Sequence, residues 1–133
     1  MGSRTPEPRP LRVLIADDHR LFAEALEAIL TTDDRIEVVG QAADGGEAVE
    51  LTRKLDPDVV LMDVSMPVLD GFEATREIRA ESEGVRVLML TGSNSRADVD
   101  RSREAGASGY VTKDRIASAL VATIVEVTRR RLP

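Results

Sequence analysis

Four strand-like runs in this chain each stop at a side chain able to do chemistry. LRVLIA runs into Asp17-Asp18, VVLM into Asp63, VLML into Thr91 and SGYVT into Lys113. Taken singly, each has an ordinary reading. An Asp pair ahead of a helix suits the helix dipole, a Thr at a strand end follows β-propensity and turn hydrogen bonding, and a Lys after a strand is a solvated charge. Asp63 resists that treatment, because the Ser65-Met66-Pro67 that follows gives it no obvious helix to cap. Gathered at one rim, three carboxylates repel, and a pair about 4 Å apart costs on the order of 4 kcal/mol at an effective dielectric near 20. A hard divalent cation relieves this, and Mg²⁺ suits a site of one or two carboxylates, waters and a phosphate. Aspartate is also a covalent acceptor of phosphoryl groups. The chemistry expected is therefore phosphoryl transfer. Asp63, held most rigidly at the end of a buried strand, is the nucleophile; Lys113 pairs with one phosphoryl oxygen and the Thr91 hydroxyl donates to another.

The elements that would position these groups alternate along the chain. Strands are expected at Leu11 to Ala16, Ile36 to Gly40, Val59 to Met62, Val85 to Leu90 and Ser108 to Thr112. Leu21, Phe22, Ala25, Leu26, Ile29 and Leu30 carry the spacing of an amphipathic helix. Further helices are expected from Gly46 to Leu55, stopped by Asp56-Pro57, and from Phe72 to Ala80, with Phe72, Thr75 and Ile78 on one face. A fourth runs from about Arg96 to Ala105 with Ser95 as its cap, and a last from about Arg115 to Arg130 with Asp114 as its cap. Strict alternation predicts an α/β fold: a three-layer α/β/α, flavodoxin-like domain around a five-stranded parallel sheet of order 2-1-3-4-5. In such a sheet the ligand site lies beyond the C-terminal ends of the strands, where these groups collect.

The bulk of the sequence narrows the function. At 133 residues one core is expected, and the absence of Cys excludes a disulfide framework and a thiolate metal site, which suits the cytoplasm. A net charge of −6 argues against direct nucleic-acid binding, and no apolar run is long enough to span a membrane. No GxGxxG or P-loop opens any helix, which argues against a nucleotide-binding module. The proline-bearing opening, 1–10, reads as a flexible arm whose Met1-Gly2-Ser3 looks like an expression scar, and Arg129-Arg130-Arg131 suit a helix C-terminus.

The strings VLIADDHRLF, DVVLMDVSMPVLDGFEATREIR, VLMLTG and AGASGYVTKD, with the spacing between them, resemble the receiver domain of two-component response regulators. The DDHRLF string and the Lys113-Asp114 ending look most like the NarL/FixJ subfamily. The resemblance implies a receiver over 11–130 in which Asp63 takes a phosphoryl group from the phosphohistidine of a sensor histidine kinase. Asp17, Asp18, Asp63 and the backbone carbonyl of Ser65 would hold Mg²⁺, Asp18 more directly than Asp17. Thr91 and Lys113 would contact the phosphoryl oxygens, and Tyr110 would be an aromatic switch. Members of the family promote their own phosphoryl transfer and later hydrolysis rather than turning over an external substrate. Many carry Pro after the lysine, often in a cis bond; Asp114 follows here, and no such bond is expected. NarL/FixJ-type regulators usually continue into a DNA-binding output domain, so DNA contact and transcriptional control would come through a domain absent from this chain. A stand-alone receiver and a degenerate receiver acting as a scaffold are the alternatives.

Two helices bear on output. The fourth offers little more than Ala97 and Val99 for burial and should be weakly anchored, free to follow Thr91 and Tyr110 on phosphorylation. The last can turn Ile116, Leu120 and Ile124 to the sheet. Ala117, Ala119, Val121, Ala122, Val125 and Val127 remain for a second copy of the chain or an output domain. His19, the sole histidine, reads as helix-start packing or a group just behind the metal site, and the methionines as core and loop filler. The competing enzyme reading is a metal-dependent phosphatase with an aspartyl nucleophile. The haloacid-dehalogenase pattern wants a second acid two residues on, and Asp63-Val64-Ser65 lacks it.

Overall fold

The computed structural model describes residues 9–92 and 96–129. Strands β1 (Leu11–Ala16), β2 (Ile36–Ala42), β3 (Val59–Asp63), β4 (Arg86–Thr91) and β5 (Gly109–Thr112) alternate with helices α1 (Arg20–Leu30), α2 (Gly45–Leu55), α3 (Gly71–Glu81), α4 (Arg96–Ala105) and α5 (Ile116–Arg129). The sheet is parallel, in the order β2-β1-β3-β4-β5. Successive side chains of a strand point to opposite faces, and the core divides accordingly. Val13, Ile15, Leu61 and Leu90 pack with Leu26, Leu30, Leu120 and Ile124 on one side of the sheet. Leu14, Val60, Met62 and Met89 pack with Val49, Phe72 and Ile78 on the other. Being covered on both faces is what makes β3 apolar without alternation.

The helix ends follow their capping residues. Asp44 and Asp70 each accept the backbone N–H three residues on, at 2.8 and 2.9 Å, and so start α2 and α3. α2 stops as expected: Asp56 turns left-handed (φ 48°) ahead of Pro57. The Arg12 guanidinium donates to the last α2 carbonyls, Leu55 at 2.5 Å and Asp56 at 2.9 Å. No peptide bond among the described residues is cis.

Several boundaries and faces differ from the sequence reading. β2 runs on to Ala42, because a register shift opposite Val13/Leu14 realigns it and Gln41 and Ala42 pair with Ile15 and Ala16. β3 takes in Asp63 and β4 takes in Thr91, so both groups are held by the sheet itself. The buried stripe of α1 is Ala23, Leu26 and Leu30, at i, i+3 and i+7; Leu21 lies opposite it, 83% exposed, and Ala25 is exposed too. Asp114 does not cap α5. It lies inside a 3₁₀ turn, Lys113–Arg115, that tightens the chain before the helix begins at Ile116. Val127 joins the core face of α5 rather than its outer face. The expected cap Ser95, the opening Met1-Gly2-Ser3 and Arg130-Arg131 lie outside the described residues.

Candidate functional site

Strand register brings the candidate groups together. The β1–β3 ladder ends at Ala16↔Met62, β3–β4 at Asp63↔Leu90, and β4–β5 at Thr91↔Thr112. Asp17, Asp63, Thr91 and Lys113 therefore stand side by side along one edge of the sheet, each at or one residue past the last pair. Asp17 is fixed by its amide, which donates to the Ala42 carbonyl at 2.9 Å, and the amide of Val64 anchors the residue after Asp63 to Leu90 at 3.1 Å. Asp63 and Thr91 lie on the strands themselves, while Asp17 and Lys113 each follow the last residue of a strand.

The electrostatics of this edge are unbalanced. Asp63 is 2% exposed, and its Oδ1 lies 3.2 Å from Lys113 Nζ and accepts a long contact from the Ser65 amide at 3.5 Å. Asp17 is buried; its Oδ1 accepts from the His19 amide at 2.8 Å, while Oδ2 has no hydrogen-bond partner among the described residues. His19 Nδ1 lies 3.4 Å from Asp17 and 3.3 Å from Asp18. Asp17, Asp18, His19 and Asp63 each offer one ligand atom, all within 4.8 Å of one another. Burial first, and the Asp17 charge second, push the Asp63 carboxyl above the usual carboxylate range, while Lys113 pulls it back. Two unit charges 4.8 Å apart repel by about 3.5 kcal/mol at an effective dielectric near 20. A buried carboxylate oxygen without a donor, beside two further acids, is a setting a hard cation satisfies, so the donor set fits a divalent ion such as Mg²⁺.

The comparisons with known proteins agree with this fold. Residues 13–125 match the family model described as the response regulator receiver domain. The chain belongs to the response regulator receiver family. It is 40% identical over 119 residues to the transcriptional regulatory protein DegU of Brevibacillus brevis, covering 90% of this chain and 50% of that one. The signal receiver domain of NarL from Mycobacterium tuberculosis superposes with a TM-score of 0.88 at 33% identity, covering 93% of this chain and all of that one. A CheX–CheY–BeF3–Mg²⁺ complex from Borrelia burgdorferi matches at a TM-score of 0.84 and 26% identity, over 92% of each chain. The receiver spans about half the length of the curated relatives it matches.

The receiver's remaining candidates are placed less centrally. Thr91 is buried at the end of β4. Ser65 is exposed in the loop after β3, touching Asp63 through its amide. Tyr110 is 39% exposed and borders a groove of about 340 Å³ between β5 and α5, on the flank of the domain rather than at its acidic edge. Two contacts at the site went unread in the sequence. A Cβ at Gly71 would lie 2.2 Å from the Asp63 carbonyl oxygen, so only glycine lets α3 start this close to Asp63. The string Asp70-Gly71 signals a turn, but nothing local reveals what presses against it. The second feature is Phe22, whose ring lies under the Lys113 ammonium. Its helical spacing marks it only as apolar.

Proposed function

We propose that this receiver is a phosphorylation-controlled switch in which Asp63 accepts a phosphoryl group from the phosphohistidine of a sensor histidine kinase. The observation that carries the reading is a buried Asp63 whose carboxylate lies 3.2 Å from Lys113 and within reach of two further acids. An Asp63 oxygen forms the new bond to phosphorus; the phosphorus–nitrogen bond of the donor breaks, and its electron pair stays on the imidazole. Asp17, Asp18, Asp63 and the Ser65 carbonyl are the residues that would hold Mg²⁺, which when bound neutralises charge developing on the phosphoryl oxygens. Lys113 follows the charge from the Asp63 carboxylate to a phosphoryl oxygen, and the Thr91 hydroxyl donates to another. Attack of water on phosphorus later breaks the Asp63–phosphate bond and resets the site, so the chain acts on itself and not on an external ester. A neighbour of the same fold described with BeF3 and Mg²⁺ supports this chemistry.

Output follows from Thr91. Movement of Thr91 toward the phosphoryl group draws in Tyr110 and α4, the helix with only Ser102 and Ala105 buried. The exposed Ala117 and Ala122 and half-buried Val121 and Val125 on α5 would meet a second copy of the chain. Transcriptional control and DNA contact would come through an output domain beyond these residues, as the names of the relatives suggest, and the setting would be the cytoplasm. No helix among the described residues is long and apolar enough to cross a membrane. The test is intact-protein mass after incubation with acetyl phosphate and Mg²⁺. A gain of one phosphoryl group, abolished by EDTA and by Asp63→Ala, is expected. No gain there and no binding of beryllofluoride would leave the scaffold reading in its place.

A further inference from the structure

Lys113 has a long, flexible side chain, and its backbone sits in the 3₁₀ turn after β5 rather than in a strand. Its ammonium nevertheless stands 3.2 Å from Asp63 Oδ1, with the side chain 31% exposed. Ordering such a chain costs rotamer entropy, which a single partly solvated ion pair offsets poorly. The second contact comes from α1: Lys113 Nζ lies 4.8 Å from the centroid of the Phe22 ring. Phe22 is half-buried and packs against the core under α1 and α5, so its ring is itself fixed. The face of an aromatic ring carries the negative part of its quadrupole and attracts a cation within about 6 Å.

We propose that Phe22 is a positioning residue for phosphoryl transfer, its ring holding the Lys113 ammonium at the acidic edge. The inference rests on the phosphoacceptor reading of Asp63. Its consequence concerns the moment of transfer. Before it, Asp63 carries the charge that draws Lys113 in; once Asp63 is an acyl phosphate, that charge has gone to the phosphoryl oxygens. Phe22 is a partner whose attraction does not change during the step, so the ammonium pivots over the ring toward the new charge instead of relaxing into water. An aliphatic side chain at this position would fill the same space and lack that attraction.

The experiment compares initial rates of phosphorylation by acetyl phosphate with Mg²⁺ for wild type, Phe22→Leu and Phe22→Tyr, each also combined with Lys113→Ala. Phe22→Leu is expected to slow the reaction roughly threefold to tenfold, Phe22→Tyr to restore it to within about twofold, and Phe22→Leu to add nothing once Lys113 is gone. Phe22→Met, which refills the volume flexibly, replaces Phe22→Leu if the latter lowers the folded fraction by circular dichroism. Equal rates for Phe22→Leu and wild type, or the same slowing in the Lys113→Ala background, would overturn the inference. So would the absence of a nuclear Overhauser contact between the Phe22 ring and the Lys113 Hε protons, whatever the rates. A wild type that accepts no phosphoryl group and binds no beryllofluoride would overturn the phosphoacceptor reading and this inference with it. A phosphorylated wild type with an indifferent Phe22→Leu would overturn this inference alone.

Discussion

Replacing Asp63 with Asn should stabilise the metal-free receiver at neutral pH, although it removes an ion pair. Asp63 is 2% exposed and lies within 4.8 Å of an Asp17 ligand atom, a repulsion of about 3.5 kcal/mol at a dielectric near 20. Lys113 at 3.2 Å opposes this, but its side chain is 31% exposed and its attraction is screened more than the repulsion between the two buried acids. The carboxyl of Asp63 is held above the usual range by burial and by Asp17 despite Lys113, so the unfavourable side prevails. The expected gain is on the order of 1 kcal/mol, or roughly 3–5 °C in Tm. Because the folded state raises this pKa, it favours the protonated carboxyl. That contribution is fully present below the unfolded value near 4 and is lost as pH rises through the folded value. The advantage of the Asn variant should therefore open with rising pH and vanish in acid. Urea unfolding in EDTA across that range measures it. Adding Mg²⁺ should reverse the order, since a ligand at about 100 times its Kd stabilises the folded state by about 2.7 kcal/mol, and the Asn variant has lost one donor. A variant that folds natively yet is less stable than wild type in EDTA at neutral pH would refute the electrostatic reasoning.

Further outcomes follow from single contacts. Gly71→Ala should lose more than about 2 kcal/mol by denaturant unfolding, because its Cβ would meet the Asp63 carbonyl oxygen at 2.2 Å. Val68 is 85% exposed with φ 71°, a left-handed conformation that a β-branched residue adopts at a cost, so Val68→Asn should raise stability by about 1 kcal/mol. Arg101 stacks 4.0 Å over the Phe72 ring and lies 3.9 Å from Asp70, tying α4 to α3. Arg101→Ala should cost about 1 kcal/mol and speed hydrogen exchange in α4 more than in β3. Phosphorylation should change exchange between residues 91 and 110, and identical protection in both states would sink the coupling of Thr91, Tyr110 and α4.

Sequence reading went furthest where one physical cause dominated. The apolar run of β3 has no alternation because helices cover both faces, and its stop at Asp63 put the nucleophile candidate on a strand end. The same logic places Asp17, Thr91 and Lys113, since parallel strands of similar length end together. Faces of short helices were harder. Leu21 belongs to the apolar spacing of α1 as plausibly as Ala23 does, and only the position of the sheet decides that Leu21 is 83% exposed. Asp114 has the chemistry of a helix cap, yet the 3₁₀ turn that carries it is set by the path of β5 into α5. The Gly71 approach to Asp63 and the Phe22–Lys113 contact join residues far apart in the chain, and no local pattern encodes such pairs.

The central claim is that Asp63, and no other carboxylate, carries the phosphoryl group. Phosphorylating the chain with acetyl phosphate and Mg²⁺, reducing it with borohydride and mapping the peptides tests this directly, because an aspartyl phosphate is reduced to homoserine where a free carboxylate is not. The account predicts homoserine at position 63 alone, dependent on Mg²⁺. Homoserine at Asp17 or Asp18 with Asp63 intact would contradict it.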